Sequence, residues 1–195
     1  MQSDSNATRA SLISRARELD SQAWSELVEL YGPLVAHWCS RCGLDSQASA
    51  DGVQEVFASV SKSLDRYESR RESGAFRAWL WTITANKVRD FYRRNQNQIS
   101  AQGGSTALGK LEQVAVVPDE EPTDDRQMDE LLRRGMRQVQ VEFESRTWDM
   151  FRRAVIDQVA TSVIAQEFDV SPAAVRQARS RVLRRLRQQL GDLDT

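Results

Sequence analysis

The sequence predicts an all-α protein with two helical domains joined by a flexible linker, the C-terminal domain containing a helix-turn-helix. Three observations predict this fold class. Apolar residues recur at spacings of three and four over most of the chain, which is the period of an amphipathic helix. Nine glycines and four prolines in 195 residues are too few for the turns of a β-sandwich or barrel. Five of these residues lie within 99–123, which indicates a linker.

The N-terminal domain is predicted over residues 1–98, as a short helix followed by three longer ones. Helical spacing is clearest in three runs, with breaks near Gly43–Ser46 and Tyr67–Gly74. The apolar positions that define the runs are Trp24, Leu27, Tyr31, Leu34 and Trp38, then Val53, Val56, Phe57, Val60 and Leu64, then Phe76, Trp79, Leu80, Ile83, Val88 and Phe91.

The C-terminal domain is predicted over residues 124–195, and its last part carries the strongest local signal. Ile164, Ala165 and Phe168 lie on one face of a short helix, and Asp169 begins a turn. Ser171 is a good N-cap, and a proline at the next position fits the first turn of a second helix. Apolar residues then follow at helical spacing at Val175, Ala178, Val182 and Leu186. This arrangement is typical of a helix-turn-helix.

The predicted second helix has a strongly basic outer face, although the net charge of the chain is only −1. Six arginines and no acidic residue occur between Ser171 and Leu190. The local field decides binding to a polyanion, so this face is a candidate DNA surface. A solvated basic face without a ligand is the competing interpretation. The outer positions are Arg176, Gln177, Ser180, Arg181, Arg184 and Arg187.

Aromatic and basic residues alternate along the predicted helix at 76–95. Aromatic rings stack on unpaired bases while cations hold the phosphate backbone, so this mixture suits single-stranded or melting DNA. The competing interpretation is that Trp79, Ile83 and Phe91 belong to the core and the arginines are solvated. On residue types alone, the core interpretation is favoured.

Two other patterns resemble catalytic or cofactor sites but lack essential residues. Gly104–Lys110 fits the start of a phosphate-binding loop, yet Leu111 stands where a magnesium-binding Ser or Thr is needed. His37, Cys39 and Cys42 are too few to close a zinc site by themselves. We read them as bundle residues and leave a redox role for the two cysteines open. We therefore expect no enzymatic activity, no metal and no cofactor.

Neither a signal peptide nor a membrane span is evident in the sequence. The first twenty residues lack a basic segment followed by an apolar one, and no stretch approaches the roughly 18 apolar residues of a bilayer span. We expect a cytoplasmic protein without membrane insertion.

The order of the segments resembles the extracytoplasmic-function (ECF) sigma factors of bacterial RNA polymerase. The strings ELVELYGPLV, DGVQEVFASVSKSLDRY and GAFRAWLWTITANKVRDFYRR come first, followed by a linker and the terminal helix-turn-helix. The resemblance covers most of residues 10–190. The chain departs from the family at Gly52, where a larger residue is expected, and in its glycine-rich linker.

The resemblance implies a role for each segment. The helix with Asp51, Gln54, Glu55 and Phe57 would dock on core RNA polymerase. The loop Glu68–Ala75 and the helix after it would engage and open the minus-ten promoter element, through Arg77, Trp79, Trp81, Asn86, Lys87, Arg89, Arg93 and Arg94. The last helix would read the minus-thirty-five element, through Ser171, Ala173, Arg176, Gln177, Ser180, Arg181 and Arg184.

The implied function is promoter recognition, strand opening and transcription initiation, with core RNA polymerase and promoter DNA as partners and an anti-sigma factor as a further expected partner. The main alternative is a stand-alone helix-turn-helix regulator whose N-terminal bundle dimerises or senses a signal. A helical adaptor that binds only proteins is the third possibility.

Overall fold

The computed structural model describes residues 11–68, 74–101 and 117–190. Within these ranges the chain forms eight α-helices and one short 3-10 helix and contains no strand, which confirms the predicted all-α class. The helices are α1 (Leu12–Arg17), α2 (Ser21–Arg41), α3 (Ser46–Ser63), the 3-10 helix Leu64–Arg66, α4 (Ala75–Ala101), α5 (Asp125–Gln140), α6 (Ser145–Val155), α7 (Thr161–Glu167) and α8 (Pro172–Leu190). Over the described ranges, none of these helices is apolar and long enough to cross a bilayer.

The chain packs as two compact units, which differ in one respect from the predicted domains. The central unit comprises residues 27–131, and the terminal unit comprises the described parts of 1–26 and 132–195. Residues 11–26 therefore group with the C-terminal helices, although α2 itself continues from Ser21 to Arg41. Much of the predicted linker at 99–123, residues 102–116, lies outside the described residues.

Helix α1 joins the terminal unit through both apolar and charged contacts. Leu12, Ile13 and Ala16 are buried, and α1 contacts α8. Arg15 lies 3.0 Å from the carboxylate of Glu26, and Glu26 in turn accepts a hydrogen bond of 3.2 Å from Gln189 on α8. These contacts explain why the short N-terminal helix belongs to this unit.

The core of the terminal unit fixes α8 on its apolar side. Ile164 and Ala165 of α7 pack with Val175 and Ala178 of α8 and with Met150 of α6. Gly135 of α5 allows a close approach, since a Cβ at this position would lie 2.5 Å from the Leu190 Cδ2 atom. Burial on this side directs the other side of α8 to solvent.

One arginine of the basic run belongs to the interior. Arg185 is 6% exposed and binds both carboxylate oxygens of Glu142 at 2.7 Å, in forked geometry. It also donates a hydrogen bond of 2.7 Å to Gln189. A buried ion pair with further hydrogen bonds fixes geometry, and removing one partner leaves an uncompensated charge. Arg185 thus anchors α8 to the turn that follows α5.

We expect Arg185→Ala to lower the free energy of unfolding by about 3 kcal/mol, because Glu142 would lose its buried partner. The neighbouring exposed residue provides the control, and Arg184→Ala should change stability by less than about 0.5 kcal/mol. Urea unfolding followed by circular dichroism measures both. Equal effects of the two substitutions would contradict the structural role of Arg185.

The central unit is built on α2, α3 and α4, with a cluster of aromatic rings at its centre. The Phe76 ring lies 5.1 Å from Tyr31 and 5.4 Å from Tyr67, both in edge-to-face geometry. Trp38 and Trp81 form another edge-to-face pair at 5.5 Å. Such pairs add to the burial of large apolar surfaces and fix the rotation of α4 about its axis.

Candidate nucleic-acid interface

The connection between α7 and α8 has the local geometry predicted from its residues. Asp169 has a positive φ of 48°, which Asp adopts more readily than most residues. The Val170 amide donates a hydrogen bond of 2.9 Å to the Ala165 carbonyl. The Ser171 hydroxyl accepts one of 3.2 Å from the Ala174 amide and so caps α8. The turn fixes where the first residues of α8 begin.

All seven residues predicted to read DNA from α8 are exposed on this helix or at its cap. They are Ser171, Ala173, Arg176, Gln177, Ser180, Arg181 and Arg184. Within the described part of the chain, the three arginines of this set form no ion pair. Their charges are not neutralised by the fold, so the face remains strongly positive toward solvent.

The eight residues predicted on α4 fall into different environments. Asn86, Arg89 and Arg93 are exposed, and their spacing of three and four places them along one side of the helix. Arg89 donates a hydrogen bond of 3.3 Å to Asn86, and Arg93 pairs with Asp90 at 2.8 Å. These contacts lie on the surface and contribute little to stability, so they leave the side chains free to rearrange around a ligand.

Trp79 lies between the core and solvent. Its ring packs at 5.0 Å from Tyr67 and at 5.6 Å from Phe76, yet the residue remains partly exposed. It lines a cavity of about 440 Å³ together with Tyr67, Arg66 and Glu68. This cavity opens beside the predicted loop Glu68–Ala75, of which residues 69–73 lie outside the described residues. An aromatic wall beside a cationic residue suits an unstacked base.

Arg77 and Trp81 are covered by the segment that precedes α5. Arg77 pairs with Glu121 at 2.7 Å, and Trp81, 4% exposed, donates a hydrogen bond of 3.4 Å to the Asp119 carbonyl. The pattern of aromatic and basic residues did not reveal this cover, because the covering segment is about forty residues away in sequence. Both side chains are thus largely shielded from solvent in this arrangement.

The residues predicted to dock on polymerase also differ in their exposure to solvent. Asp51 and Gln54 are exposed on α3, whereas Phe57 is 8% exposed and belongs to the core. Glu55 faces α4, where its carboxylate lies 3.0 Å from Arg94 and 3.9 Å from Lys87. Asp51 and Gln54 are therefore the members of the set that this conformation exposes to solvent.

Gly52 occupies a position where α3 approaches α2 closely. A Cβ at this position would lie 3.2 Å from the Cys39 sulfur and 3.8 Å from the Leu44 Cδ2 atom. The first distance is shorter than ordinary van der Waals contact, so Cys39 restricts this site. The departure of Gly52 from the resembled family thus has a local steric reason.

We expect Gly52→Ala to change stability little in the native background, because the gain in helix propensity is offset by the contact with Cys39. In a Cys39→Ala background the contact is removed, and the same substitution should stabilise the protein by about 1 kcal/mol. Urea unfolding of the native protein, the two single variants and the double variant measures the coupling between Gly52→Ala and Cys39→Ala. Equal effects of Gly52→Ala in both backgrounds would contradict the steric explanation.

The two cysteines lie inside the central unit. Cys39 and Cys42 are both buried and unpaired. Burial, with a smaller effect of Cys42, raises the pKa of the Cys39 thiol to about 11, and burial also raises the pKa of Cys42. Since the thiolate is the reactive form, both pKa shifts oppose rapid oxidation at neutral pH. In the described part of the chain, no group of three His, Cys, Asp or Glu residues is arranged to hold a metal.

We expect both thiols to react slowly with iodoacetamide at pH 7 in the folded protein and rapidly in urea. Because the pKa of Cys39 is raised to about 11, its rate should still increase with pH above pH 9. Mass spectrometry after timed quenching measures the modification. Rapid labelling of the folded protein at pH 7 would contradict the raised thiol pKa and would support a redox role for this pair.

Comparisons with known proteins relate parts of this chain to a described family and to named relatives. Residues 27–98, which include most of α2 and all of α3, match the family described as sigma-70 region 2. The RNA polymerase sigma factor CnrH of Cupriavidus metallidurans is 32% identical over 118 residues, covering 60% of this chain and 59% of the relative. NccH of Alcaligenes xylosoxydans xylosoxydans, also an RNA polymerase sigma factor, is 33% identical over 85 residues, covering 44% of each protein.

A third relative aligns with nearly the whole chain. The RNA polymerase sigma factor CarQ of Myxococcus xanthus is 26% identical over 182 residues, or 93% of this chain and 97% of the relative. The first two alignments span about half the length of those relatives. Residues 27–98 are thus similar to sigma-70 region 2, and the aligned stretches of this chain are similar to RNA polymerase sigma factors.

Proposed function

We propose that this chain is a promoter-specificity subunit that binds core RNA polymerase, recognises two promoter elements and helps to separate the DNA strands. The observation that carries the proposal is the exposed, unneutralised arginine face of α8, opposite a well-packed apolar face. Strand separation of this kind needs no catalytic group, since protein contacts replace the lost base stacking. The chain would then work in the cytoplasm and without a cofactor.

The residues at the start of α8 are proposed to read the minus-thirty-five element in the major groove. Ser171, Ala173, Arg176 and Gln177 stand at the capped end, which in a recognition helix meets base edges. Ser180, Arg181 and Arg184 follow along the same exposed helix and suit contacts to phosphate. The rigid core beneath α8 supports this role because it holds the helix in one orientation.

The α4 helix is proposed to bind the minus-ten element as it opens. Asn86, Arg89 and Arg93 offer an exposed polar and basic side for the backbone, and Trp79 lines a cavity large enough for an unstacked base. A flipped base loses its stacking at a cost of a few kcal/mol, and an aromatic wall replaces that stacking. Lys87 and Arg94 would join once their contacts with Glu55 open.

The exposed side of α3 is proposed to dock on core RNA polymerase, through Asp51 and Gln54, with Glu55 following when it leaves Arg94. Residues 1–98 would thus carry the polymerase and minus-ten functions, residues 124–195 the minus-thirty-five function, and residues 99–123 the connection. The family resemblance also implies an anti-sigma factor as a binding partner.

Reconstitution with core RNA polymerase tests the proposal. We expect the purified chain to co-elute with the core enzyme and to support run-off transcripts from specific members of a promoter library. A stand-alone regulator would bind duplex DNA without the core enzyme, and an adaptor would bind neither promoter element. Absence of both co-elution and specific transcripts would overturn the proposal.

Salt dependence tests the arginine face of α8. If four arginines meet phosphate, the logarithm of the binding constant for a selected promoter should fall against the logarithm of salt concentration with a slope of about −3.6. Arg184→Ala should make the slope shallower by about 0.9. Arg126→Ala, at an exposed position of α5, serves as the control and should leave the slope unchanged. A slope near zero for the native protein would contradict the proposal.

A further inference from the structure

Residues 119–123, here called the acidic strap, lie against the aromatic side of the central unit. Three hydrogen-bonded contacts hold them there. Glu121 accepts from Arg77 Nε at 2.7 Å, and the Asp119 carbonyl accepts from the Trp81 indole at 3.4 Å. The Thr123 hydroxyl accepts from the Trp38 indole at 2.9 Å. The strap therefore occupies donors on both α2 and α4.

The chemistry of these contacts resembles that of a nucleic-acid strand. A carboxylate takes the place of a phosphate on a guanidinium group, and a carbonyl oxygen takes the place of a base edge on an indole N–H. Arg77 and Trp81 are two of the eight residues assigned to the minus-ten element. Ala78 and Trp79, which lie between them in sequence, line the proposed base cavity. The strap thus occupies two α4 residues that are also assigned to the opened strand, and the helical turn between them contributes to the cavity.

The strap is held in place, but only one of the two carboxylate oxygens of Glu121 has a hydrogen-bond partner among the described residues. The side chains of Arg77 and Glu121 are 17% and 19% exposed, so the pair is largely removed from water. Among the described residues, the second carboxylate oxygen of Glu121 is buried and has no hydrogen-bond partner. A buried carboxylate that is half satisfied recovers only part of its desolvation cost, which makes the contact readily displaced by a better ligand.

We propose that the acidic strap competes with single-stranded promoter DNA for α4 and keeps this surface closed in the free chain. The proposal rests on the minus-ten role of α4 given above. Displacement of the strap frees the Arg77 Nε and the Trp81 N–H, while Arg77 Nη1 keeps its contact of 3.2 Å with the Met128 sulfur and the Trp81 ring stays packed on Trp38. Weak DNA binding by the free chain and stronger binding after displacement follow from this competition.

Charge variants of two adjacent glutamates test the competition. Glu121→Gln weakens the contact with Arg77 and Glu121→Arg makes it repulsive, whereas Glu120 is exposed and makes no such contact. Glu120→Gln and Glu120→Arg therefore change the net charge equally without opening the strap. The measurement is fluorescence anisotropy of the full chain with a labelled, mixed-sequence single-stranded DNA of roughly 12 nucleotides.

We expect Glu121→Gln to bind this DNA roughly threefold more tightly than Glu120→Gln, and Glu121→Arg roughly tenfold more tightly than Glu120→Arg. Equal gains in affinity at both positions would indicate a general charge effect and would overturn the proposal that the strap competes with DNA. No gain at Glu121 would also overturn it. In that case run-off transcription with core polymerase separates the two ideas: specific transcripts leave the proposed function intact, and their absence rejects both.

Discussion

The structure depends on the burial of one side of each long basic helix. In α8 the side chains that pack inward recur at spacings of three and four, and in α4 the same holds for the residues that meet α2 and α3. Because a helix has only one such face, the basic residues outside it point away from the core, with Arg185 as the exception that Glu142 holds inside. The inward positions are Val175, Ala178, Val182 and Leu186 in α8, and Phe76, Leu80 and Val88 in α4.

The positions of acidic residues determine which arginines are neutralised in ion pairs and which keep an uncompensated charge. Glu142 neutralises Arg185 and fixes α8, whereas Arg176, Arg181 and Arg184 keep their full field toward solvent. In the central unit, Glu55 and Glu121 hold basic residues of α4. A chain with a net charge of −1 thereby presents one strongly basic face and one face whose cations are held in internal pairs.

Much of this arrangement could be predicted from the sequence, because it is encoded by local spacing. The helices, the N-cap at Ser171, the left-handed turn at Asp169 and the exposed face of α8 all follow from residues within a few positions of one another. The same spacing predicts which side of α4 is apolar. The alternation of aromatic and basic residues did not distinguish Trp81, which is buried, from Trp79, which lines a cavity.

What the sequence did not reveal depends on partners that are distant along the chain. Arg185 and Arg184 are neighbours of equal charge, and only the position of Glu142, 43 residues away, makes the first one structural. The packing of residues 11–26 with α8 and the cover of Arg77 by Glu121 arise in the same way. Helical periodicity specifies a face, but it does not specify which distant side chain meets that face.

The most direct test of the central claim is a combined footprint of the reconstituted polymerase complex on one promoter. Deoxyribonuclease protection should appear at two separate elements, and permanganate should detect unpaired thymines only within the downstream element. Scrambling either element should weaken protection of the other and abolish the permanganate signal, since the two surfaces belong to one chain. Protection of a single element, or protection of two without any permanganate-reactive thymine, would contradict the account.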